Sequence, residues 1–334
     1  MNETVALVLT SIAKPNAVLR TLAEGCREHG WQFIVIGDEA SPPAFSIEGC
    51  RFYGLEEQRQ LGFEFARDCP TRHYARKNIG YLLAIRAGAT VIVETDDDNM
   101  PYSGFWHERR RRQSASVVPA NHGWVNVYRY FSEANIWPRG LPLDRINAPL
   151  PPFETLATQE IDCPIQQGLA DENPDVDAIY RLLLPLPQSF RDDRRVALMQ
   201  GAWCPFNSQN TTWWPDAFPL LYLPAYCSFR MTDIWRSFVA QRIAWANDWS
   251  ILFHESTVSQ ERNEHDLMRD FKDEVPGYLH NSSICEALDA RRLKPGVEHA
   301  GENLRACYEK LVSMNLVDGR ELQLVDAWLT DLAT

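Results

Sequence analysis

The stretch Thr90-Val-Ile-Val-Glu-Thr-Asp-Asp-Asp-Asn99 decides the fold that the sequence predicts. Its first half is a short apolar, β-branched run, which is typical of a buried strand. Asp96, Asp97 and Asp98 follow that strand directly, at the edge where open α/β sheets bind their ligands. Adjacent carboxylates repel one another unless a cation compensates them. An isolated run of three aspartates is more often a solvated turn, so the neighbouring elements must decide between the two interpretations.

Two short apolar runs before this stretch predict the start of a parallel sheet. Val5–Thr10 and residues 33–36 are typical of strands, and helical spacing over residues 17–29 joins them into a β-α-β unit. A further helix is predicted over residues 75–87, where Gly80 would allow close packing on a neighbouring strand. The N-terminal part therefore predicts a Rossmann-like mixed sheet flanked by helices.

The rest of the chain has a less regular pattern. A proline-rich segment over residues 138–174 predicts a long ordered loop. Helical spacing resumes over residues 233–246, and the remainder is typical of amphipathic helices. We therefore expect a ligand-binding domain over residues 1–255 and a C-terminal helical subdomain over residues 256–334.

Composition restricts the partners and the compartment. The 334 residues include 33 Lys and Arg against 45 Asp and Glu, a formal net charge of −12, which disfavours nucleic acid as a partner. The eight cysteines form no C-x-x-C pair, so neither zinc nor a disulfide framework is predicted. The N-terminus lacks signal-peptide features, and no apolar run reaches about 18 residues. We expect a cytoplasmic protein; peripheral association with the inner face of a membrane and a homodimer stay open.

The acidic cluster has the chemistry of a site for a divalent cation and a diphosphate. Mn²⁺ and Mg²⁺ are hard cations that bind carboxylate and phosphate oxygens. On an extended segment residues i and i+2 point the same way, so Asp96 and Asp98 are predicted as metal ligands while Asp97 points elsewhere. Asp96 and Asp97 are also predicted to contact the bound nucleotide.

Two cations lie at the start of the helix predicted over residues 75–87. Basic residues at a helix N-terminus oppose the macrodipole at a cost of up to about 1 kcal/mol each, and an anionic ligand would reverse that cost. Free N–H groups there, together with Arg76 or Lys77, are predicted to hold a phosphate. The alternative is an exposed basic turn.

Polar residues also follow the first two predicted strands. Thr10, Ser11 and Asp38 lie where this architecture binds the base and ribose of a nucleotide. Turn capping by Ser11 and strand termination by Asp38 are the alternatives.

Four motifs, in this order and spacing, resemble the STELLO family of glycosyltransferase-like proteins: Ala75-Arg-Lys-Asn-Ile-Gly80, Thr95-Asp-Asp-Asp-Asn99, Asn173-Pro-Asp-Val-Asp177 and Asp233-Ile-Trp235. The likeness runs from residue 4 to residue 262 and does not cover the last seventy residues. More distantly, the acidic cluster, Asp233-Ile-Trp235 and His254 are similar to the reversibly glycosylated polypeptides, which are nucleotide-sugar mutases and self-glycosylating proteins.

The resemblance implies the A-type glycosyltransferase fold (GT-A), a nucleoside-diphosphate sugar as donor and a Mn²⁺ or Mg²⁺ ion. The expected reaction transfers a hexose or pentose to a glycan, a lipid-linked acceptor or another hydroxyl acceptor, in surface polysaccharide synthesis. Two alternatives stay open. One is a nucleotide-sugar mutase or self-glycosylating protein, and the other is a non-catalytic scaffold that assists a polysaccharide synthase.

Candidates for the acceptor side come from two of these motifs and one histidine. Asp233 is predicted as the base that deprotonates the acceptor hydroxyl, or as the carboxylate that orients it; helix capping carries equal weight. The other predicted substrate contacts are Asp175, Asp177, Arg230 and Trp235, the last stacking on a sugar face. His254 is predicted to complete the metal shell, although a single histidine at a strand end is more often structural.

Overall fold

A computed structural model of the chain describes residues 3–261 and 266–334. Its strands are β1 Val5–Thr10, β2 Gln32–Ile36, β3 Arg51–Tyr53, β4 Val91–Thr95, β5 Asn99–Pro101, β6 Arg112–Val118, β7 Gly123–Trp124, β8 Ala157–Asp162, β9 Ile165–Asp171, β10 Arg195–Leu198, β11 Ala202–Trp203, β12 Asn210–Trp213 and β13 Ile251–Gln260. Its α-helices are α1 Ala17–His29, α2 Leu55–Arg59, α3 Glu64–Asp68, α4 Lys77–Arg86, α5 Ala178–Leu183, α6 Thr232–Trp245, α7 Leu267–Asp289, α8 Ala300–Ser313 and α9 Glu321–Leu332. None of the helices in these two ranges is both long and apolar enough to span a bilayer.

Most of the strands form one mixed sheet. Its order is β3-β2-β1-β4-β12-β9-β13-β10-β6-β8, with β5 paired to β13. The first four strands are parallel, β12 runs antiparallel to both β4 and β9, and β9 is parallel to β13. Strands β7 and β11 form a separate parallel pair. The predicted fold class, a mixed α/β sheet flanked by helices with a helical C-terminal part, is confirmed.

Alternate residues of β1 and β4 face two different apolar layers, which explains why both strands are nearly continuous apolar runs. Leu7 and Val93 pack in the layer that contains α1, whereas Val8 and Ile92 pack in the layer that contains α4. A parallel strand buried on both faces needs apolar residues at successive positions. The run before the acidic cluster is therefore a buried strand, as predicted, and it lies between β1 and β12 in the sheet.

Glycine at position 80 allows α4 to lie directly on the sheet. A Cβ atom at Gly80 would come within 2.5 Å of Val8 Cγ1 and 3.0 Å of Ile36 Cγ1. We expect Gly80→Ala to lower the free energy of unfolding by at least about 1 kcal/mol, because overpacking outweighs the gain in helix propensity. Urea unfolding measures the change. Gly319→Ala, where a Cβ meets nothing within 4 Å, is the matched control, and equal effects of the two variants would contradict the packing argument.

Two strands lie inside the segment that was predicted as a long loop. Residues 138–174 contain β8 and β9, so that prediction was wrong over this part. Strand β9 carries Gln166 and Gln167 in its buried interior, and both amides are hydrogen-bonded to backbone carbonyls. Their polar character removes the apolar signal on which a strand prediction depends.

The C-terminal helices share the main apolar core with the sheet. Asp331 of α9 accepts hydrogen bonds from the backbone N–H groups of Glu64 and Phe65, at 2.9 and 2.8 Å. The buried carboxylate of Glu321 accepts from the N–H groups of Ala225 and Tyr226. The domain boundary predicted at residues 255/256 falls within β13, which is one continuous strand, so the helical part begins only at α7.

Candidate active site

A cavity of about 500 Å³ opens at the carboxyl edge of β1, β2 and β4. Its volume is in the range of sites that bind small ligands. The site residues predicted from the sequence that line it are Thr10, Ser11, Asp38, Arg76, Asp96, Asp97, Asp98, Asp175, Arg230 and Asp233. The fold therefore brings together most of the predicted set from six separate segments.

The three aspartates lie in a turn between β4 and β5. The Asn99 N–H donates to the carbonyl of Asp96 at 3.3 Å, and the Asn99 amide donates to the carbonyl of Gln209 at 2.8 Å. The segment is thus not extended, and the i, i+2 argument for a shared direction of Asp96 and Asp98 was wrong. All three carboxylates nevertheless line the cavity.

Each aspartate of the turn has a different partner. Asp96 Oδ1 accepts from the Tyr74 hydroxyl at 3.1 Å, and Asp97 Oδ2 accepts from the Ser11 hydroxyl at 2.5 Å. Asp98 accepts from the Gln260 amide at 3.1 Å. The turn therefore distributes negative charge across the floor of the cavity.

The charge on Asp96 is poorly compensated. Burial raises the pKa of Asp96 to about 7, and repulsion by Asp98 and Asp97 opposes the attraction of Lys77. Burial also raises the pKa of Asp97. A carboxylate whose pKa rises in this way is destabilised in its charged form, and a bound cation would reverse the effect.

The carboxylate oxygens of the acidic turn suit a hard cation, but the protein does not supply a complete set of ligands for it. Across residues 3–261 and 266–334, no cluster of three or more His, Cys, Asp or Glu side chains is arranged to hold a metal ion. The carboxylate oxygens of Asp96 and Asp98 are suitable ligands for Mg²⁺ or Mn²⁺, which usually complete their shells with water and substrate phosphates. The residues present therefore fit a cation that arrives with an anionic ligand.

The two cations before and within α4 are engaged by the protein itself. The Arg76 guanidinium, in a side chain only 2 % exposed, donates to Gln58 Oε1 at 2.9 Å and to the carbonyl of Cys69 at 3.0 Å. Lys77 is fully buried, and its Nζ donates to the carbonyls of Thr95 and Ser208 at 2.8 and 3.0 Å. Both cations therefore link separate segments of the protein through hydrogen bonds. The prediction, in contrast, had both side chains face the diphosphate.

The helix start that was predicted to bind phosphate is also already capped. A 3-10 turn, Tyr74–Arg76, precedes α4, and the N–H of Ala75 donates to Nδ1 of His73 at 3.0 Å. The N–H of His73 in turn donates to Asp38 Oδ2 at 3.0 Å. This contact holds the turn against the end of β2.

The predicted nucleoside-binding residues form one connected edge. The Ser41 hydroxyl donates to the carbonyl of Ser11 at 2.9 Å, and the N–H of Asp38 donates to the Ser41 hydroxyl at 2.9 Å. Thr10 lies at the end of β1 beside them and lines the cavity. The edge therefore presents hydroxyl, carboxylate and backbone groups in fixed positions.

A buried arginine joins two predicted acceptor-side carboxylates. The Arg139 guanidinium donates to both oxygens of Asp175, at 2.8 and 2.9 Å, and to both oxygens of Asp233, at 3.1 and 2.9 Å. Burial would raise the pKa of Asp175, but Arg139 holds it below its usual value. The two carboxylates raise the pKa of Arg139 well above its ordinary value, although burial opposes them. Arg139, Asp175 and Asp233 are called the arginine clamp below.

Hydrogen bonds within the protein occupy most acceptor positions of Asp233. Besides Arg139, the N–H groups of Ile234 and Ser208 donate to its two oxygens, at 3.1 and 3.4 Å. A carboxylate has about four acceptor positions, so few remain for an incoming proton. The same positions would be needed to orient the acceptor hydroxyl, so both roles predicted from the sequence stay open.

Arg230 lies at the same end of the cavity as the clamp. Its guanidinium donates to Glu274 of α7 at 2.9 Å, and its carbonyl accepts a hydrogen bond from Arg139. This residue therefore connects the cavity with the C-terminal helices.

Asp177 and Trp235 lie outside the cavity lining. Asp177 is the N-cap of α5, where it accepts from the N–H of Tyr180 at 2.8 Å, and it also accepts from the indole N–H of Trp137 at 2.7 Å. Trp235 is buried on α6, and its indole N–H donates to Asn281 at 2.9 Å. Both side chains are committed to helix packing, which corrects their prediction as substrate contacts.

His254 is also away from the acidic turn. It lies within β13, between β9 and β10, with its ring against Gly168, and its Nδ1 is 3.1 Å from the carbonyl of Glu255. Burial lowers the pKa of His254, which favours the neutral imidazole. Its position in the middle of the sheet does not place it in the metal shell that was predicted.

Several cavity residues carried no recognisable sequence signal. Arg139 lies in the proline-rich segment, and Phe229 precedes the motif that contains Asp233. Tyr74 contacts both Asp96 and the Ser208 hydroxyl, and thereby joins the acidic turn to the segment before β12. The polar run at residues 207–212, which includes most of β12, gave no apolar signal that could have pointed to this segment.

The fold and the cavity define a class of protein. Parallel strands in the order β3-β2-β1-β4, followed by an antiparallel strand, place an acidic turn at the carboxyl edge of a central strand. This arrangement agrees with the A-type glycosyltransferase fold implied by the resemblance. Solved structures that superpose on the chain include a mycobacterial protein (TM-score 0.42) and glucosyl-3-phosphoglycerate synthase from Mycobacterium tuberculosis in complex with phosphoglyceric acid (TM-score 0.40). Each of the two is 10 % identical to this chain, and each match covers 84 % of it. The matches cover 75 % of the mycobacterial protein and 80 % of the synthase. Scores this low identify no function.

Sequence comparison identifies the relatives. A profile of the STELLO glycosyltransferases matches residues 230–334. "Probable glycosyltransferase STELLO1" of Arabidopsis thaliana is 31 % identical over 265 residues, which are 73 % of this chain and 34 % of that protein. "Probable glycosyltransferase STELLO2" of the same plant is 28 % identical over 331 residues, 91 % of this chain and 41 % of that protein.

The chain is thus related to the STELLO glycosyltransferases, and the resemblance predicted from the motifs is confirmed. Its extent was predicted too narrowly, because the profile match includes the last seventy residues. The chain spans between about a third and two fifths of the length of these relatives.

Proposed function

We propose that the chain is a metal-dependent glycosyltransferase that transfers a sugar from a nucleoside-diphosphate donor to a hydroxyl group of a glycan or lipid-linked acceptor, in surface polysaccharide synthesis. The observation that carries the proposal is the convergence of the acidic turn, the polar edge of β1 and β2 and the arginine clamp on one cavity. The kinship with a family of glycosyltransferases supports it.

The charge balance of the cavity supports a requirement for a cation. Six aspartates and four arginines line it among the described residues. All four arginines, Arg72, Arg76, Arg139 and Arg230, already donate hydrogen bonds to protein oxygens. A diphosphate that enters would therefore meet net negative charge, and a divalent cation would offset the repulsion. Asp96 and Asp98 would hold this ion, which when bound would stabilise the negative charge on the departing diphosphate.

The protein's own groups divide the remaining tasks. Thr10, Ser11 and Asp38 would bind the nucleoside at the polar edge of the sheet. At the other end, Asp233 would orient the acceptor hydroxyl from a position fixed by Arg139. A hydroxyl held in this way loses little further freedom when it reacts, which is the main contribution that positioning makes to the rate.

A thermal-shift experiment tests donor binding. UDP, GDP, ADP and CDP are each added with and without MnCl₂, and one of them is expected to raise the melting temperature only when the metal is present. A ligand at a hundred times its dissociation constant should add about 2.7 kcal/mol to the free energy of unfolding. EDTA should remove the shift. A protein that responds to none of the four nucleotides would contradict the proposal and favour the scaffold alternative.

The product separates transfer from the mutase alternative. The protein is incubated with MnCl₂ and sugars linked to the nucleotide that binds, and both are then analysed by mass spectrometry and chromatography. Release of free nucleoside diphosphate in proportion to added acceptor supports transfer. An isomerised donor or a sugar adduct on the protein would support the mutase or self-glycosylating alternative.

The scaffold alternative also has an observation in its favour. Arg76 and Lys77 were predicted to neutralise the diphosphate, yet both are buried and hydrogen-bonded within the protein. A non-catalytic relative that keeps its fold would retain such internal hydrogen bonds and lose its contacts to the ligand. The thermal-shift result decides between the two.

A further inference from the structure

The mouth of the cavity carries two exposed apolar side chains. Ile12 is 58 % exposed and Phe229 is 51 % exposed, and both line the cavity. They come from different segments, the turn after β1 and the 3-10 turn Phe229–Met231 before α6. Single apolar residues on a surface are common, but two at the rim of one acidic cavity indicate a ligand that has an apolar part.

Contacts place Phe229 between the nucleoside edge and the arginine clamp. Its ring lies against the edge of the His73 ring, with 5.6 Å between the ring centroids and an interplanar angle of 72°. The N–H of His73 donates to Asp38, at the end of β2. Two contacts thus connect Phe229 to the edge assigned to the nucleoside, and the peptide bond to Arg230 connects it to the arginine clamp on the acceptor side.

The backbone that carries Phe229 is held firmly. The next residue, Arg230, accepts a hydrogen bond from Arg139 through its carbonyl and donates to Glu274 through its guanidinium. Ser228 on the other side donates to the carbonyl of Asp273. An aromatic ring on a fixed backbone loses little conformational freedom when a ligand covers it, so it is suited to act as a stacking surface.

We propose that Ile12 and Phe229 form an apolar subsite for the nucleobase of the donor, with the base stacking on the Phe229 ring. The inference rests on the proposed function and extends it by naming the residue that contacts the flat apolar face of the base. Among the parts of a nucleoside-diphosphate sugar, the base is the one with two apolar faces; ribose, diphosphate and sugar are covered with hydroxyls or charge. Stacking on an aromatic ring tolerates every base, so hydrogen bonds from other groups would select among them.

Calorimetry with ligands that have or lack a base tests the subsite. The full chain is titrated with the nucleoside diphosphate that gives the largest thermal shift, and separately with inorganic pyrophosphate, both in MnCl₂. Phe229→Ala is expected to lower the affinity for the nucleoside diphosphate by about tenfold or more. The affinity for pyrophosphate should stay unchanged within about twofold. Phe229→Tyr should bind both ligands like the unmodified protein. Leu279→Ala, which truncates an apolar side chain 68 % exposed and outside the cavity lining, should change neither affinity.

Each other outcome has one meaning. Unchanged affinity for the nucleoside diphosphate in Phe229→Ala would overturn the subsite and leave the proposed function intact. An equal loss of affinity for nucleoside diphosphate and pyrophosphate would also overturn the subsite, because the ring would then only support the fold of the cavity. The sugar-linked donor is titrated as a third ligand, and a loss of affinity confined to it would overturn the subsite by assigning the ring to the sugar instead of the base. If the unmodified protein binds neither ligand, the proposed function fails and the subsite fails with it.

Discussion

Asp98→Asn is expected to lower the affinity for the nucleoside diphosphate in the presence of Mn²⁺ by at least about a hundredfold. The substitution keeps the shape of the side chain but removes the charge that attracts a divalent cation. Loss of a charged ligand from a cation that has few protein ligands leaves the diphosphate facing the remaining acids of the turn. Isothermal titration calorimetry with and without MnCl₂ measures the effect.

The control for this variant is another aspartate that loses its charge away from the cavity. Asp144→Asn removes an exposed carboxylate, 3.2 Å from Arg145, that does not line the cavity. It should leave both the affinity and its dependence on Mn²⁺ unchanged. If Asp98→Asn bound nucleotide as tightly as this control in MnCl₂, the acidic turn would not be a metal site.

Arg139→Met is expected to lower the free energy of unfolding by about 3 to 5 kcal/mol. Methionine preserves most of the volume but leaves Asp175 and Asp233 in a buried position with no cation between them. Desolvated like charges in proximity are the costliest result of breaking a buried ion pair. Chemical denaturation followed by tryptophan fluorescence measures the change.

A matched variant and a rescue separate this effect from a general loss of charge. Arg145→Met removes an arginine that is 53 % exposed, and it should cost less than about 1 kcal/mol. Adding Asp175→Asn and Asp233→Asn to Arg139→Met should recover part of the lost stability, because no buried charge is then uncompensated. An equal cost for Arg139→Met and Arg145→Met would show that the clamp contributes nothing beyond a surface pair.

The acidic turn could be predicted from the sequence because its signal is local. The run Thr90-Val-Ile-Val93, followed after two residues by three aspartates, predicts a buried strand and a polar turn without reference to any distant residue. Position 80 is similar, since a glycine in an apolar helical pattern already indicates close packing. In both cases the physical cause lies within a few residues of its effect.

The functions of the charged residues could not be predicted in the same way. Lys77 appeared as a phosphate ligand, but the fold directs its ammonium to the carbonyl of Ser208, 131 residues away in the sequence. Arg139 had no predicted role, and its partner Asp233 is 94 residues away. A long side chain can reach several environments, so only the packed structure decides which carboxylate or carbonyl it meets.

By itself, the sequence determined the β-α-β unit at the N-terminus, the buried strand that leads into the acidic turn and the kinship of the chain. Those features depend on periodic burial of apolar side chains, which is encoded residue by residue. The tertiary structure alone decided that Arg139 holds Asp175 and Asp233 together, that His254 lies inside the sheet, and that Phe229 lies at the rim of the cavity. Electrostatic and stacking interactions act over a few ångströms, and distances of that size between remote residues exist only after the chain has folded.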